Sequence, residues 1–253
     1  MADHVGRPGP LVGTLAVVVV ASLALMAVLA WAHARTLQSS QPAGDVPAAG
    51  PRPPASADQQ ILSAVGLGVS DVGPGDSVSL VDQRDQLSQP TLDFCGLRFA
   101  SERQREARRQ VAASDTSGLP ALSTEAVLYH DQAGAAEAMG EVRGIHGRCP
   151  SGPVQSPSVG EPSLVWRVRD ASTSGWPHPA PMDRIALDVT VGRPGQDALH
   201  QVVVFLRRGR LLLGVYFASE TGSPVPVAGV STLGGVVGLF QQRVAALPEA
   251  DVS

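Results

Sequence analysis

The sequence predicts an α+β fold: a mainly antiparallel sheet with packed helices, one disulfide, and a single transmembrane helix ahead of it. Three observations predict it. Segments that alternate, or run apolar over strand length, fill the second half of the chain. Two other segments carry apolar residues at 3-4 spacing, the period of a helix. The two cysteines, Cys95 and Cys149, both follow an uncharged apolar run near the N-terminus.

That run comes first. Residues 11–34 hold no formally charged side chain and are mostly Val, Ala and Leu. As a helix they rise about 36 Å, enough to cross a hydrocarbon core of about 30 Å. Trp31 stands near the outer end, where an amphipathic ring suits the interface. The competing reading is a cleaved signal peptide, because Ala30-Trp31-Ala32 and Ala32-His33-Ala34 both satisfy the small-x-small pattern. Both readings place the rest of the chain outside the cytoplasm, either on a single-pass anchor or secreted. The anchor reading makes residues 1–10 a short cytoplasmic segment and the membrane a partner through the helix. No Cys stands directly after the run, which excludes a lipoprotein anchor.

Residues 35–57 read as a linker, with five Pro and almost no large apolar residue. Such chain cannot bury enough surface to offset its ordering entropy. Extended, it reaches at most roughly 70 Å. It serves equally as a stalk or as a plain spacer. Residues 58–248 are then the extracytoplasmic α+β domain, and 249–253 a tail.

Within the domain, residues 58–67 form a short helix, capped near Ser56 or Asp58, with Ile61, Leu62 and Val65 apolar. A short strand fits 77–81. The run 101–113 has strong helix formers throughout, with Ser101 as N-cap. Ala135, Ala138, Val142, Ile145 and Cys149 make one helical stripe, with Asp131 as N-cap and Pro150 as stop. Leu164, Trp166 and Val168 alternate with polar neighbours, as do Ile185, Leu187, Val189 and Val191, giving two half-buried strands. Trp166 is therefore read as packing on the core. Residues 202–206 and 211–217 are apolar on both faces and read as central strands. Arg207-Arg208-Gly209-Arg210 joins them, with Gly209 free to adopt positive φ. Val230, Leu233, Val237, Phe240, Val244 and Leu247 mark a final helix laid on the sheet. Gly234 and Gly238 on one face of it permit close backbone approach.

In an oxidising compartment, Cys95 and Cys149 read as a disulfide. It would close a loop of about 55 residues and contribute about 4 kcal/mol on the chain-entropy model. No CxxC spacing supports a redox thiol, and two Cys with scattered His do not make a zinc site.

The segments Thr91-Leu92-Asp93-Phe94-Cys95-Gly96, Ser101-Glu102, Ala107-Arg108-Arg109-Gln110-Val111, Ser123-Thr124-Glu125 and Arg148-Cys149-Pro150 carry a resemblance. They resemble secreted or membrane-anchored actinobacterial proteins, many of them uncharacterised. More distantly, they resemble the extracellular sensor domain of mycobacterial receptor serine/threonine kinases. That resemblance implies an α+β fold, a cleft for a ligand and no catalysis. Those sensor domains typically carry two disulfides and a kinase, whereas this chain has Cys for one disulfide and no kinase segment.

Composition narrows the chemistry. All 19 basic residues are Arg, and there is no Lys and no Asn. Lysine chemistry and N-glycosylation are excluded. From residue 58 onward 16 Arg face 21 acids, a net charge of -5. Nothing there points to nucleic acid. No GxSxG, HExxH, SxxK, Walker A or dinucleotide fingerprint occurs, so no enzyme, cofactor or metal is expected.

The expected function is a membrane-anchored extracytoplasmic binding or sensor-like module. A structural or assembly protein binding another envelope protein is the alternative. Candidate ligand or partner contacts are Arg105, Arg108 and Arg109 in the Arg-rich segment, and Trp176 and His178 in the Pro-rich loop 172–181. The Arg-rich segment is either a solvated face or a contact for anionic headgroups or acidic wall polymer. Trp176 is either a rigidly held contact or an aromatic folded back on the core.

Overall fold

In a computed structural model, the described residues are 56–81, 87, 89–155, 163–178 and 182–253. The expected transmembrane helix and nearly all of the linker lie outside them. No described helix is long and apolar enough to cross a membrane.

Seven described strands form one antiparallel sheet: β1 (Ser77–Leu80), β2 (Arg105–Ser114), β3 (Pro120–Tyr129), β4 (Val165–Asp170), β5 (Asp183–Gly192), β6 (Leu199–Arg208) and β7 (Leu211–Phe217). Their order is β1-β2-β3-β7-β6-β5-β4. The central strands β3, β7 and β6 are buried on both faces, as runs such as Val202-Val203-Val204-Phe205-Leu206 require. Two hydrophobic clusters follow, one on each face.

The first face is covered by α1 (Ala57–Val65), α4 (Leu233–Ala246) and a hairpin of β8 (Gly222–Val227) with β9 (Val230–Thr232). Ser56 caps α1, its hydroxyl accepting from the Gln59 amide at 3.3 Å. The second face is covered by α2 (Gln132–Arg143), the short α3 (Ile145–Arg148) and the segment 91–99. Asp131 caps α2 by accepting from the Gly134 amide at 2.8 Å, and Ala135, Ala138, Val142 and Ile145 are buried as their spacing predicts.

The β6–β7 turn needs its glycine twice over. Gly209 has φ 55°, and a Cβ there would lie 1.8 Å from the carbonyl oxygen of Val252. Val252 belongs to α5 (Glu249–Val252) and is fully buried in the first cluster. The last residues are thus part of the fold where the sequence suggested a tail.

Three further expectations need correcting. The helix expected over 101–113 is a five-residue 3-10 turn, Ala100–Gln104, followed by strand β2. Helix propensity is a weak prior, and β2 gains a full ladder by pairing with both β1 and β3. Val230 lies in β9, so the final helix begins at Leu233. The close approach at Gly234 and Gly238 is made by the loop, not the sheet. A Cβ on Gly234 would come within 2.9 Å of the Trp176 ring, and one on Gly238 within 3.0 Å of Pro177. Strand β3 and the β8–β9 hairpin have no counterpart in the sequence reading.

Candidate functional site

A buried charged network sits on the second face, at the β2–β3–β7 part of the sheet. Arg108 of β2 and Glu125 of β3 are 2% and 3% exposed. The Arg108 Nε donates to Glu125 Oε1 at 2.5 Å, and its Nη2 donates to Gln110 Oε1 at 2.8 Å. Tyr216 of β7 donates its hydroxyl to Glu125 Oε2 at 3.4 Å. The Thr91 hydroxyl also reaches Glu125. Burial raises the Glu125 carboxyl above its ordinary value, with the Arg108 charge pulling the other way. Burial, reinforced by the Glu125 charge, drives the Tyr216 hydroxyl well up, so it stays a neutral donor.

The backbone is shaped for this network. Gly214 pairs with Glu125 across the β3–β7 ladder. The Tyr216 ring lies back over Gly214, where a Cβ would meet ring atom Cε2 at 2.8 Å. A side chain at 214 would therefore displace the ring whose hydroxyl meets Glu125.

The cover over this face is fastened at several points. Glu102 accepts the amides of Thr91 and Leu92 at 2.9 and 2.8 Å. Arg105 reaches the Gln89 carbonyl at 2.7 Å, the Thr91 hydroxyl at 3.0 Å and the Leu87 carbonyl at 3.1 Å. Cys95 and Cys149 form the expected disulfide, with Cα atoms 5.3 Å apart. Cys95 and Gly96 both have positive φ, 58° and 63°. A Cβ at Gly96 would strike the Val154 side chain at 2.5 Å. From this turn Phe94 meets Trp166 and Phe205 edge-to-face, with centroids 6.2 and 6.1 Å apart, and Phe205 meets Tyr216 at 6.1 Å. A continuous chain thus runs from Trp166 through Phe94, Phe205, Tyr216 and Glu125 to Arg108 and Gln110. Its half-buried members Trp166, Tyr216 and Gln110 show at the surface, each backed by a fully buried neighbour.

The sequence singled out Arg105 and Arg108 as contacts, and the structure gathers them here, inside the fold and not on a solvated helix face. Arg109 alternates to the other face of β2, that of Val111 and Ala113, and is half-buried, its Nε without a hydrogen-bond partner among the described residues. Burial lowers its pKa. Trp176 is far from this network in the fold. It folds back against α4, with the Arg184 guanidinium 5.4 Å from its ring and Arg184 donating to the Pro177 carbonyl at 2.6 Å. His178 is exposed beside it. Glu125, Tyr216, Gln110 and Thr91 received no role from the sequence, whereas the i,i+3 spacing of Glu102 and Arg105 suggested the pair that forms at 3.1 Å. The available signal was Glu125 itself, an acid inside the apolar run 121–129 that had to find a partner.

A second polar cluster lies at the β4–β5–β6 side. His200 meets Asp188 through Nε2 at 2.5 Å and Glu220 through Nδ1 at 2.9 Å, and Arg169 donates to Asp188. Burial would raise the Asp188 carboxyl, but hydrogen bonds from Arg169 and His200 bring it below its ordinary value. Both His200 nitrogens face carboxylates, so neither is placed to activate a hydroxyl. Among the described residues no group of His, Cys, Asp or Glu side chains could hold a metal ion.

No family model matches the chain, and no curated protein matches it. Among solved structures, the chain is similar to the extracellular domain of PknH from Mycobacterium tuberculosis. The identity is 14% and the TM-score 0.42, over 77% of this chain and 96% of that one.

Proposed function

We propose that the protein is a membrane-anchored, extracytoplasmic binding or sensor-like module that performs no catalysis. The observation that carries this reading is the disulfide-fastened cover, whose ring chain and buried Arg108–Glu125 pair rigidly back Trp166, Tyr216 and Gln110 at the surface. Part-buried aromatic rings and a fixed amide at the surface are groups that a small-molecule or peptide contact uses. The disulfide belongs to an oxidising compartment, which agrees with the apolar run at 11–34 and the export it implies. The binding reading also suits a buried network that orients surface groups.

The test is thermal unfolding of the full chain in detergent, with and without envelope extract. A rise in melting temperature that disappears in Gln110→Ala and Trp166→Ala supports the reading. An unchanged melting temperature across fractionated extracts counts against it. One dominant protein partner in cross-linked cells would favour the assembly role instead.

A further inference from the structure

The seven-stranded sheet is open, and β4 is one of its two outer strands. Its neighbours show which way its backbone groups point. The Ala171 amide donates to the Ala186 carbonyl beside β5, so the odd-numbered residues of this run turn their backbone groups inward. On the outer side Val154 and Leu164 exchange both amide-to-carbonyl bonds, at 2.7 and 2.8 Å. The backbone groups of Trp166, Val168 and Asp170 therefore point outward, where they meet no partner among the described residues. Val154 is the first rung of an eighth strand that goes no further. The chain bends at Ser151 and Gly152, and Pro153 has no amide to donate.

The side chains along this edge are not uniform. Trp166 and Val168 are half-buried against the second cluster, while Arg167, Arg169 and Asp170 are exposed. Asp188 meets Arg169 at 2.9 Å, whereas Arg167 lies beside Thr190 and has no ion pair among the described residues. The opposite edge, β1, has four residues and no charged side chain.

We propose that the outer edge of β4 takes up an extended segment of another protein as an added strand, with an acidic residue opposite Arg167 and apolar residues opposite Trp166 and Val168. In such strand addition main-chain bonds give affinity and alternate side chains give selectivity. An acid opposite Arg167 makes an attractive cross-strand pair, and apolar flanks lie beside Trp166 and Val168. A second copy of this chain does not fit the same edge. An antiparallel twofold centred on Arg167, Val168 or Arg169 sets arginine opposite arginine, and one centred on Asp170 sets aspartate opposite aspartate. One centred on Trp166 needs Leu164, which Val154 already holds. The inference gives the binding reading above a class of partner and rests on it.

The experiment uses the full chain in detergent micelles and reads residue-resolved amide hydrogen exchange. The probe is a capped hexapeptide, Ser-Thr-Thr-Val-Glu-Val, which in antiparallel register sets its Glu opposite Arg167. The expected result is saturable protection of the Trp166, Val168 and Asp170 amides, with those of Arg167 and Arg169, already turned to β5, unchanged. N-methylation of the two peptide Val removes the amides that face the edge and should abolish that protection. Lys in place of the peptide Glu, or the variant Arg167→Gln at an unchanged melting temperature, should weaken binding about 2–5-fold. No protection, uniform protection of 166–170, or equal binding of the Glu and Lys peptides overturns the proposal. Protection of the same amides that rises with protein concentration and needs no peptide would assign the edge to a second copy, and also overturns it. A melting shift with envelope extract that persists where the peptide fails would sink this inference and leave the binding reading standing.

Discussion

Glu125 shows how one side chain organises a face of the fold. An acid in a central strand is costly unless its charge is met, and Arg108 meets it at 2.5 Å. Such a pair is fragile to single changes. Arg108→Met leaves a buried carboxylate without its partner and should cost about 3–5 kcal/mol in urea unfolding, whereas Arg108→Met/Glu125→Leu should recover most of that loss. Equal losses in the single and double variants would contradict the buried-pair account. Gly214 acts through space it leaves empty. Gly214→Ala forces the Tyr216 ring off the strand and should destabilise by about 1–3 kcal/mol, a cost that shrinks when Tyr216 is also replaced by Val.

At the scale of elements, the disulfide ties the cover to the end of α3 across a separation of 54 residues. Cys95→Ser/Cys149→Ser should lose about 4 kcal/mol on the chain-entropy model and lower the melting temperature clearly. Hydrogen exchange should show the loosening at 91–99 and 145–149 first. Elements whose sequence carried their own period were legible: the Asp131-capped helix, the final helix and the β6–β7 hairpin with Gly209. Strand β2 was not, because Glu, Ala, Arg and Gln favour a helix until a neighbouring strand supplies the ladder. Its alternation of Arg108 and Gln110 against Val111 and Ala113 is faint because the apolar partners are small. Strand β3 was missed for the opposite reason. It is buried on both faces, so no period-two pattern survives, and Glu125 interrupts the apolar run. The candidate site inherited both errors. Its residues were quoted as a motif, but only the pairing of β2 with β3 and β7 shows that Arg108, Glu125 and Tyr216 meet.

The whole molecule is closed by long-range polar ties. Arg243 of α4 donates to both Asp71 carboxylate oxygens, at 2.9 and 2.6 Å, and to the Gly66 carbonyl at 2.8 Å. Burial alone would raise Asp71, but the Arg243 hydrogen bond, the Gly68 amide and the Arg243 charge bring it below 3.8. A carboxyl lowered on folding stabilises the protein above its unfolded pKa, and that contribution is lost as pH falls through the folded value. Asp71→Asn should therefore be less stable than the parent at neutral pH, with the gap closing as pH drops below 3.8. A gap constant with pH would show that Asp71 does not act through its charge. The C-terminal residues contribute on the same scale. Deleting 249–253 uncovers the site of Val252 and removes its bond from the Arg210 amide at 2.7 Å, and should cost about 1.5–3 kcal/mol in the same urea titration. The Arg210 side chain also holds Asp58 at 3.1 Å, so the first helix and the last residues meet at one residue. That neighbourhood makes the domain a candidate for circular permutation. Ser253 could be joined to Ser56 by a short linker and the chain reopened at the Asp115–Leu119 turn, at the opposite end of the sheet, with every strand pairing kept.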